Sequence, residues 1–386
     1  MPGLTIVEQT SGPRSILPAS LAVIGLVATA TAAAGAATTA LNEAFPLNTP
    51  VLIAGDVEAA AGNAGSGGTL GPALRAIADQ ASPYVIVVRV AEGEDAEATE
   101  ANVIGATDGN SYTGIQALLA AESQLGFRPR ILGAPGLDSA AVVAELVIAA
   151  QKLRAMVYAS AIGDDVAEVV TYRETYAARE LMLIWPDTSA AFSGDIVART
   201  LGLRARIDEQ QGWHKTVSNV PLGGITGLDR DVHFDLLDPS TEAGALNDAQ
   251  VTTVIRQTGF RLWGNRTCAD VAQQPEFSFE SAVRTSHALQ DEIASIFAPF
   301  LDQPMTQALI KDLVETGNAR FRQLVREGRI VGAQMFFDKD ANSSVELAAG
   351  RPKFRIQFTP AAPLENPRVD LVITDFYYAG FTDLVG

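Results

Sequence analysis

The segment GNAGSGGT, residues 62–69, is the nearest approach in this chain to a phosphate-binding loop. Such a loop needs Gly-x-x-x-x-Gly-Lys-Ser/Thr, because backbone N–H groups cradle the phosphates and the lysine reaches the terminal ones. Here Gly68 stands where the lysine belongs, and no acidic metal partner follows a later strand signal. The segment reads instead as a turn feeding the helix GPALRAIADQ. Nucleophilic catalysis has no better footing. None of the three histidines, His214, His233 and His287, lies in a glycine-rich setting, and no GTSMA-like serine segment is present. A catalytic triad is a geometry of nucleophile, base and orienting acid, and nothing in the spacing supplies it. His233, in the alternating DVHFDLLD, reads as a half-exposed strand residue. There is no HExxH and no EF-hand loop. The acidic pairs Asp164–Asp165 and Asp229/Asp231 sit at turn signals, with Asp164 expected to cap a helix. In Trp263-Gly264-Asn265-Arg266-Thr267, an aromatic anchor and a tight turn explain the residues without a ligand. No catalytic, cofactor or metal site is expected.

Composition narrows the function further. The net charge is −17 over 386 residues, and an acidic surface of that size repels nucleic-acid phosphates. The single Cys268 excludes an intrachain disulfide and a CxxC metal site, which suits synthesis in a reducing cytoplasm. With 47% hydrophobic and only 19% charged residues, the chain can bury a large core and has surface to bury against other chains. Its length suggests two or three domains. Residues 15–42 carry no charge, which raises the question of a membrane span or signal peptide. The stretch is rich in Ala, Thr and Gly, holds Pro18, Gly25 and Gly35, and lacks a basic start, because Arg14 is offset by Glu8. SLAVIGLVATA reads as a buried strand and the remainder as a loop or tightly packed segment.

Along the chain, residues 1–20 look like an extended arm with strand propensity in LTIVE, broken by Ser-Gly-Pro. PVLIAG and PYVIVVRV read as strands, the second buried on both faces. The acidic AEGEDAEATE reads as a solvated linker and puts a boundary near residue 97. From about residue 111, helices and strands alternate: a helix over 114–125, RILGAPG, DSAAVVAELVIAAQKLR, AMVYASAI, DDVAEVVTYRETYAA, ELMLIWPD and IVARTLGLRARIDEQQG. That alternation implies a parallel sheet with helices on both faces. After Trp213, LNDAQVTTVIRQTG reads as helical, GFRLWGNRTC as a strand with a turn, and two long helices follow within 280–329. Strand signals close the chain at IVGAQMFFDK, SVELAAG, PKFRIQFTP and PRVDLVITDFYY.

These pieces, in their order, resemble the tail sheath family of contractile phages and R-type pyocins. PGLTIVEQTSGPRSI resembles the family's opening arm, LAVIGLVA the strand behind it, and RILGAPG its short strand with an APG turn. GWHKTVSNVPLGGITGL, GFRLWGNRTC with SFESAVRTSHALQDEI, and LVREGRIVGAQMFFDKD continue the match through nearly the whole chain. The resemblance implies an α/β fold with a subtilisin-like parallel-sheet core domain that has no protease function. It implies a smaller N-terminal α/β domain, an α+β C-terminal domain and extended terminal β-arms. The expected divisions are 1–20, 21–97, 98–258, 259–365 and 366–386. It also implies homo-hexameric rings stacked helically around an inner tail tube protein, contact with baseplate and tail terminator proteins, no nucleic acid, no membrane insertion and no cofactor. The place implied is the virion tail, after assembly in the host cytoplasm.

Two sets of residues are singled out on that footing. Leu4, Thr5, Ile6 and Val7, with Leu371, Val372, Ile373 and Phe376, are expected to add strands to neighbouring subunits; the competing reading is that both ends pair within their own chain. Residues 306–329 read as a helix with Leu309, Leu313 and Val314 on its core face and Arg320, Arg322, Arg326 and Arg329 in its second half. Those arginines either complement the helix dipole and pair with nearby acids, at ~0.3–1 kcal/mol each, or face acidic side chains on the tube. A sheath from another contractile system is the nearest rival; type VI sheaths are usually built from two chains, whereas one chain here carries both arms and the core. An α/β nucleotide-binding hydrolase would need the complete phosphate loop that Gly68 denies.

Overall fold

The computed structural model describes residues 21–109 and 111–378. The chain opens with β1 (Val23–Thr29), α1 (Ala36–Ala44), β2 (Val51–Ile53), α2 (Val57–Gly62), α3 (Leu70–Ala78) and β3 (Tyr84–Val90). Then come α4 (Ala96–Ile104), the small hairpin β4 (Thr107–Asp108) and β5 (Ser111–Tyr112), α5 (Ala117–Leu125), β6 (Ile131–Gly133) and α6 (Ala140–Leu153). Next are β7 (Met156–Ser160), α7 (Val166–Glu174), β8 (Leu181–Ile184), α8 (Ile196–Gln210) and α9 (Glu242–Asp248). The chain continues through β9 (Val251–Arg256), β10 (Phe260–Trp263), α10 (Glu280–Phe297), α11 (Gln307–Arg326), β11 (Ile330–Phe337), α12 (Ser344–Ala348) and β12 (Phe354–Pro360).

Eight strands form one sheet in the order β10-β9-β8-β7-β6-β1-β3-β2. The six inner strands are parallel, and β2 and β10 close the edges antiparallel. All seven residues of β1 are buried, as expected of a strand covered on both faces. Gly25 is required there: a Cβ would stand 2.7 Å from Leu132 Cδ2 and 2.8 Å from Pro129 Cβ. One apolar layer, with Leu41, Leu74, Ile77 and Leu201, packs α1, α2, α3 and α8 on one face. The other, with Leu118, Leu146, Val169 and Leu246, packs α5, α6, α7 and α9 on the opposite face. The described part of the uncharged stretch, residues 21–42, therefore runs from the middle of a sheet into α1. Among the described residues no helix is long and apolar enough to cross a membrane.

Several expectations change. The sheet crosses the expected boundary near residue 97, because β1, β3 and β2 extend the same sheet as β6 to β9. The β9–β10 hairpin likewise straddles the expected division between 258 and 259. The acidic run over 91–100 is half helix: Asp95 caps α4 by accepting from Ala98 N at 2.7 Å. The cap of α7 is Asp165, not Asp164. VTTVIR is a strand, since its β-branched residues complete the sheet beside β8, and the helix there is confined to α9. SVELAAG forms the short helix α12, with Ser343 as its cap. DVHFDLLD is a loop in which His233 is exposed. PRVDLVITDFYY forms no strand within its own chain.

Candidate assembly surface

The C-terminal region is built differently from the sheet that precedes it. α11 lies on β11, where the Asn318 side chain brackets Met335 with two 2.8 Å hydrogen bonds to its backbone. Leu289, Ile296, Leu313, Phe321, Leu324 and Met335 form a third apolar cluster, into which Leu21 and Trp213 insert from the body. β11 pairs only with β12, so both outer edges of this two-stranded sheet are open among the described residues. After β12 the chain runs on through residues 361–374 without regular structure. Its root is tied to the body: Arg266 pairs with Glu365 and lies 4.0 Å over the Phe279 ring. Beyond that tie the apolar side chains are exposed: Leu371 is 94% exposed and Ile373 98%, with Val372 and Phe376 also exposed. Among the described residues, nothing covers Leu371, Val372 and Ile373. Leu4, Thr5, Ile6 and Val7 lie outside the described residues.

Three of the four arginines lie on α11 and Arg329 follows it. Arg320 is buried and pairs with Glu292 of α10 through two hydrogen bonds, at 2.9 and 2.6 Å. Arg329 is half-buried, contacts Glu327 at 2.9 Å and sits 4.5 Å over the Trp213 ring. Both are thus engaged within their own chain. Arg322 and Arg326 are exposed, with Val325 between them. Helical spacing could have separated them in advance. Arg320 falls on the stripe of Leu313, Gly317, Phe321 and Leu324, whereas Arg322 and Arg326 do not. Of the three residues expected on the core face, Leu313 is buried and Leu309 and Val314 are half-buried.

Sequence reasoning missed the ionic seam between body and C-terminal region. Glu280, at the start of α10, accepts from Tyr158 Oη at 2.7 Å and from Arg204 Nη1 at 3.1 Å. Arg204 also meets Asp208 at 2.9 Å, and Arg284 bonds the same Asp208. All four charged groups are essentially fully buried. Burial works against the Arg204 charge, yet Asp208 and Glu280 raise its pKa above the ordinary arginine value. Further along α10, Asp291 joins Arg130 and Arg154 of the body. The available signal was opposite charge at i, i+4 spacing, 204/208 on α8 and 280/284 on α10.

The groups screened for chemistry sit in separate places. The Gly-rich loop is folded down on β1: Thr31 N donates to Gly67 O at 3.0 Å, and Thr29 and Thr69 exchange two 3.2 Å bonds. A Cβ on Gly68, at φ +85°, would stand 2.5 Å from Thr29 O. His214 is edge-on to Trp213. His287 is buried in α10, its pKa brought down to about 3 by burial and by Arg284, Arg130 and Arg179. Burial pushes the Cys268 thiol up to about 12. Among the described residues no cluster of three His, Cys, Asp or Glu side chains could hold a metal ion.

Residues 110–268 match the family described as phage tail sheath protein central domain, and residues 272–374 match the phage tail sheath C-terminal domain. The tail sheath protein of Escherichia phage P2 is 44% identical over 99% of this chain and 98% of its own length. The chain belongs to the phage tail sheath family. The major tail sheath protein of Serratia phage KSP20 is 42% identical over 100% of this sheath chain and 98% of its own. A putative prophage major tail sheath protein of Pseudomonas aeruginosa is 33% identical over 99% and 98%. In fold, the sheath chain is similar to the contracted sheath of the extracellular contractile injection system PVC, with TM-score 0.71 and 16% identity over 98% of each chain. The contracted helical sheath of the anti-feeding prophage gives TM-score 0.70 and 17% identity, over 97% of this chain and 99% of its own.

Proposed function

We propose that this subunit polymerises as stacked six-membered rings around an inner tail tube and, by contracting, drives the tube through a bacterial envelope. One observation carries the reading. Among the described residues, an apolar segment leaves a two-stranded sheet whose outer edges are open, and that segment has no cover. A segment of this kind, added to the edge of a neighbour's sheet, gains main-chain hydrogen bonds and a fixed register. Residues 371–376 and the N-terminal residues 4–7 supply such strands in this reading, and the β11–β12 sheet is the acceptor. The links persist while the rigid bodies slide past one another, so the extended form is a metastable lattice that relaxes into a better-packed one.

Arg322 and Arg326 are the tube-facing cations. Contacts of this kind are polar, individually weak and weakened by salt, which suits a sheath that must release its tube. The subunit acts without catalytic turnover. It resides in the virion tail, assembles in the host cytoplasm, and meets baseplate and terminator proteins at the ends of the polymer. Electron microscopy of the purified protein is the test. Long hollow tubes are the expected product; a protein that stays monomeric at high concentration removes the proposal.

A further inference from the structure

The loop over residues 229–241, between the sheet body and α9, carries two leucines into solvent. Leu237 is 92% exposed and Leu236 61%. The loop is well braced around them. His233 N donates to Glu242 Oε2 at 2.9 Å, Ala243 N donates to His233 O at 3.1 Å, and Phe234 packs edge-on against Trp263 with ring centroids 5.0 Å apart. At the tip, Leu237 N donates to Asp235 Oδ1 at 2.9 Å and Ser240 N to Asp238 Oδ1 at 2.8 Å. These side-chain turns fix the backbone so that both leucines face outward. Burying a leucine is worth about 1.5–3 kcal/mol, so a braced loop that shows two of them has a surface to meet.

The charge of the loop specifies that surface. Asp235 and Asp238 flank the leucines in sequence, Asp229 and Asp231 add negative charge to the same loop, and Arg230 is paired with Asp164 at 3.2 Å. The partner must therefore be basic with an apolar spot. This chain carries such a face. Arg351, Lys353 and Arg355 alternate along the approach to β12 and are all exposed, and residues two apart on an extended strand share a side, about 6.6 Å apart. Val345, exposed on α12, adjoins them, because Arg351 N donates to the neighbouring Glu346 O at 3.0 Å. Glu346 and Asp338 each meet one arginine of the face, while Lys353 has no ion pair among the described residues.

We propose that the Asp235–Leu236–Leu237–Asp238 tip docks on the Arg351–Lys353–Arg355 face of a second copy of this chain. The two patches differ, so the contact is heterologous and repeats head to tail, as an open helical polymer requires. The proposal rests on the sheath reading but is independent of the arms.

Full-length protein carrying Leu236→Ser with Leu237→Ser, or Asp235→Lys with Asp238→Lys, is compared with wild type by sedimentation and microscopy, after circular dichroism has confirmed the fold. Each pair should raise the concentration needed for polymers by about tenfold or more. Lys353→Glu with Arg355→Glu should do the same, and combining both charge reversals in one chain should restore polymers. In wild type, hydrogen exchange at 233–238 and 351–355 should slow together on polymerisation. Leucine variants that polymerise as wild type does, or a combined reversal no better than either alone, overturn the docking assignment. Wild type that never polymerises instead overturns the sheath reading beneath it.

Discussion

The sheet body and the C-terminal region solve the same problem of buried surface in opposite ways. In the body, eight strands are covered on both faces and even Arg199, Arg204 and Arg284 are internal. In the C-terminal region, two strands are half-covered, and 13 of the 21 exposed large apolar side chains among the described residues lie after residue 300. Charge divides similarly. Residues 1–298 carry 34 acidic and 18 basic side chains, against 11 and 10 in residues 299–386. Nearly all the net charge thus belongs to the body, where it keeps bodies apart in solution. Apart from the Leu236–Leu237 tip, the body covers most of its apolar surface itself; among the described residues, the C-terminal region leaves more of its own exposed.

That contrast can be broken or sharpened by variants whose effect on folding shrinks step by step. The largest effect is expected at the seam. Glu280→Ala leaves two buried arginines sharing the single carboxylate of Asp208, and should cost about 3–5 kcal/mol in urea unfolding. A loss below about 1 kcal/mol would show that the seam is not what joins the two regions. His287 comes next. Its folded pKa lies below its unfolded value, so its contribution to stability is present above about pH 6.5 and is lost as the pH falls toward 3. The upper figure is about 3 kcal/mol at pH 4. His287→Gln should flatten the melting temperature between pH 6.5 and 4, and an unchanged slope assigns the acid sensitivity elsewhere.

Arg322→Glu with Arg326→Glu should change folding by no more than about 0.5 kcal/mol while weakening assembly on tubes and sparing sheath-only polymers. Unchanged tube binding at low salt rejects those two arginines as the contact. Smallest of all in folding is removal of residues 367–386, which should leave the melting temperature alone and abolish polymers. Normal tubes from that truncated chain would place the inter-subunit links elsewhere.

Much of the body was legible because its signals are local. Short apolar runs such as VIVV and LMLI, bounded by turn residues, read as strands, and the Asp138–Ser139 pair announces a helix that Ser139 caps. Sheet order is not local. The linker-like acidic run hid the fact that β1 lies beside β6, a pairing across more than a hundred residues. VTTVIR went to the helix because LNDA before it favours one, and only the waiting edge of β8 decides otherwise. On α11 the arginines were read by composition, which cannot tell Arg320 from Arg322; the position of each on the helix can. The exposed segment was visible as a strand signal, but that it pairs with no strand among the described residues is a fact of three dimensions.

Helix α10 sends Glu280, Arg284 and Asp291 into the body and Leu289 and Ile296 into the C-terminal cluster. Mechanically it acts as a key between two parts of a shaft. Bending at the junction would expose ion pairs and apolar side chains together, so torque applied to the C-terminal region turns the body with it. Compliance is left to the irregular segment that runs past Glu365. A lattice of such pieces stores its energy in how the pieces are arranged rather than in how any one of them is deformed.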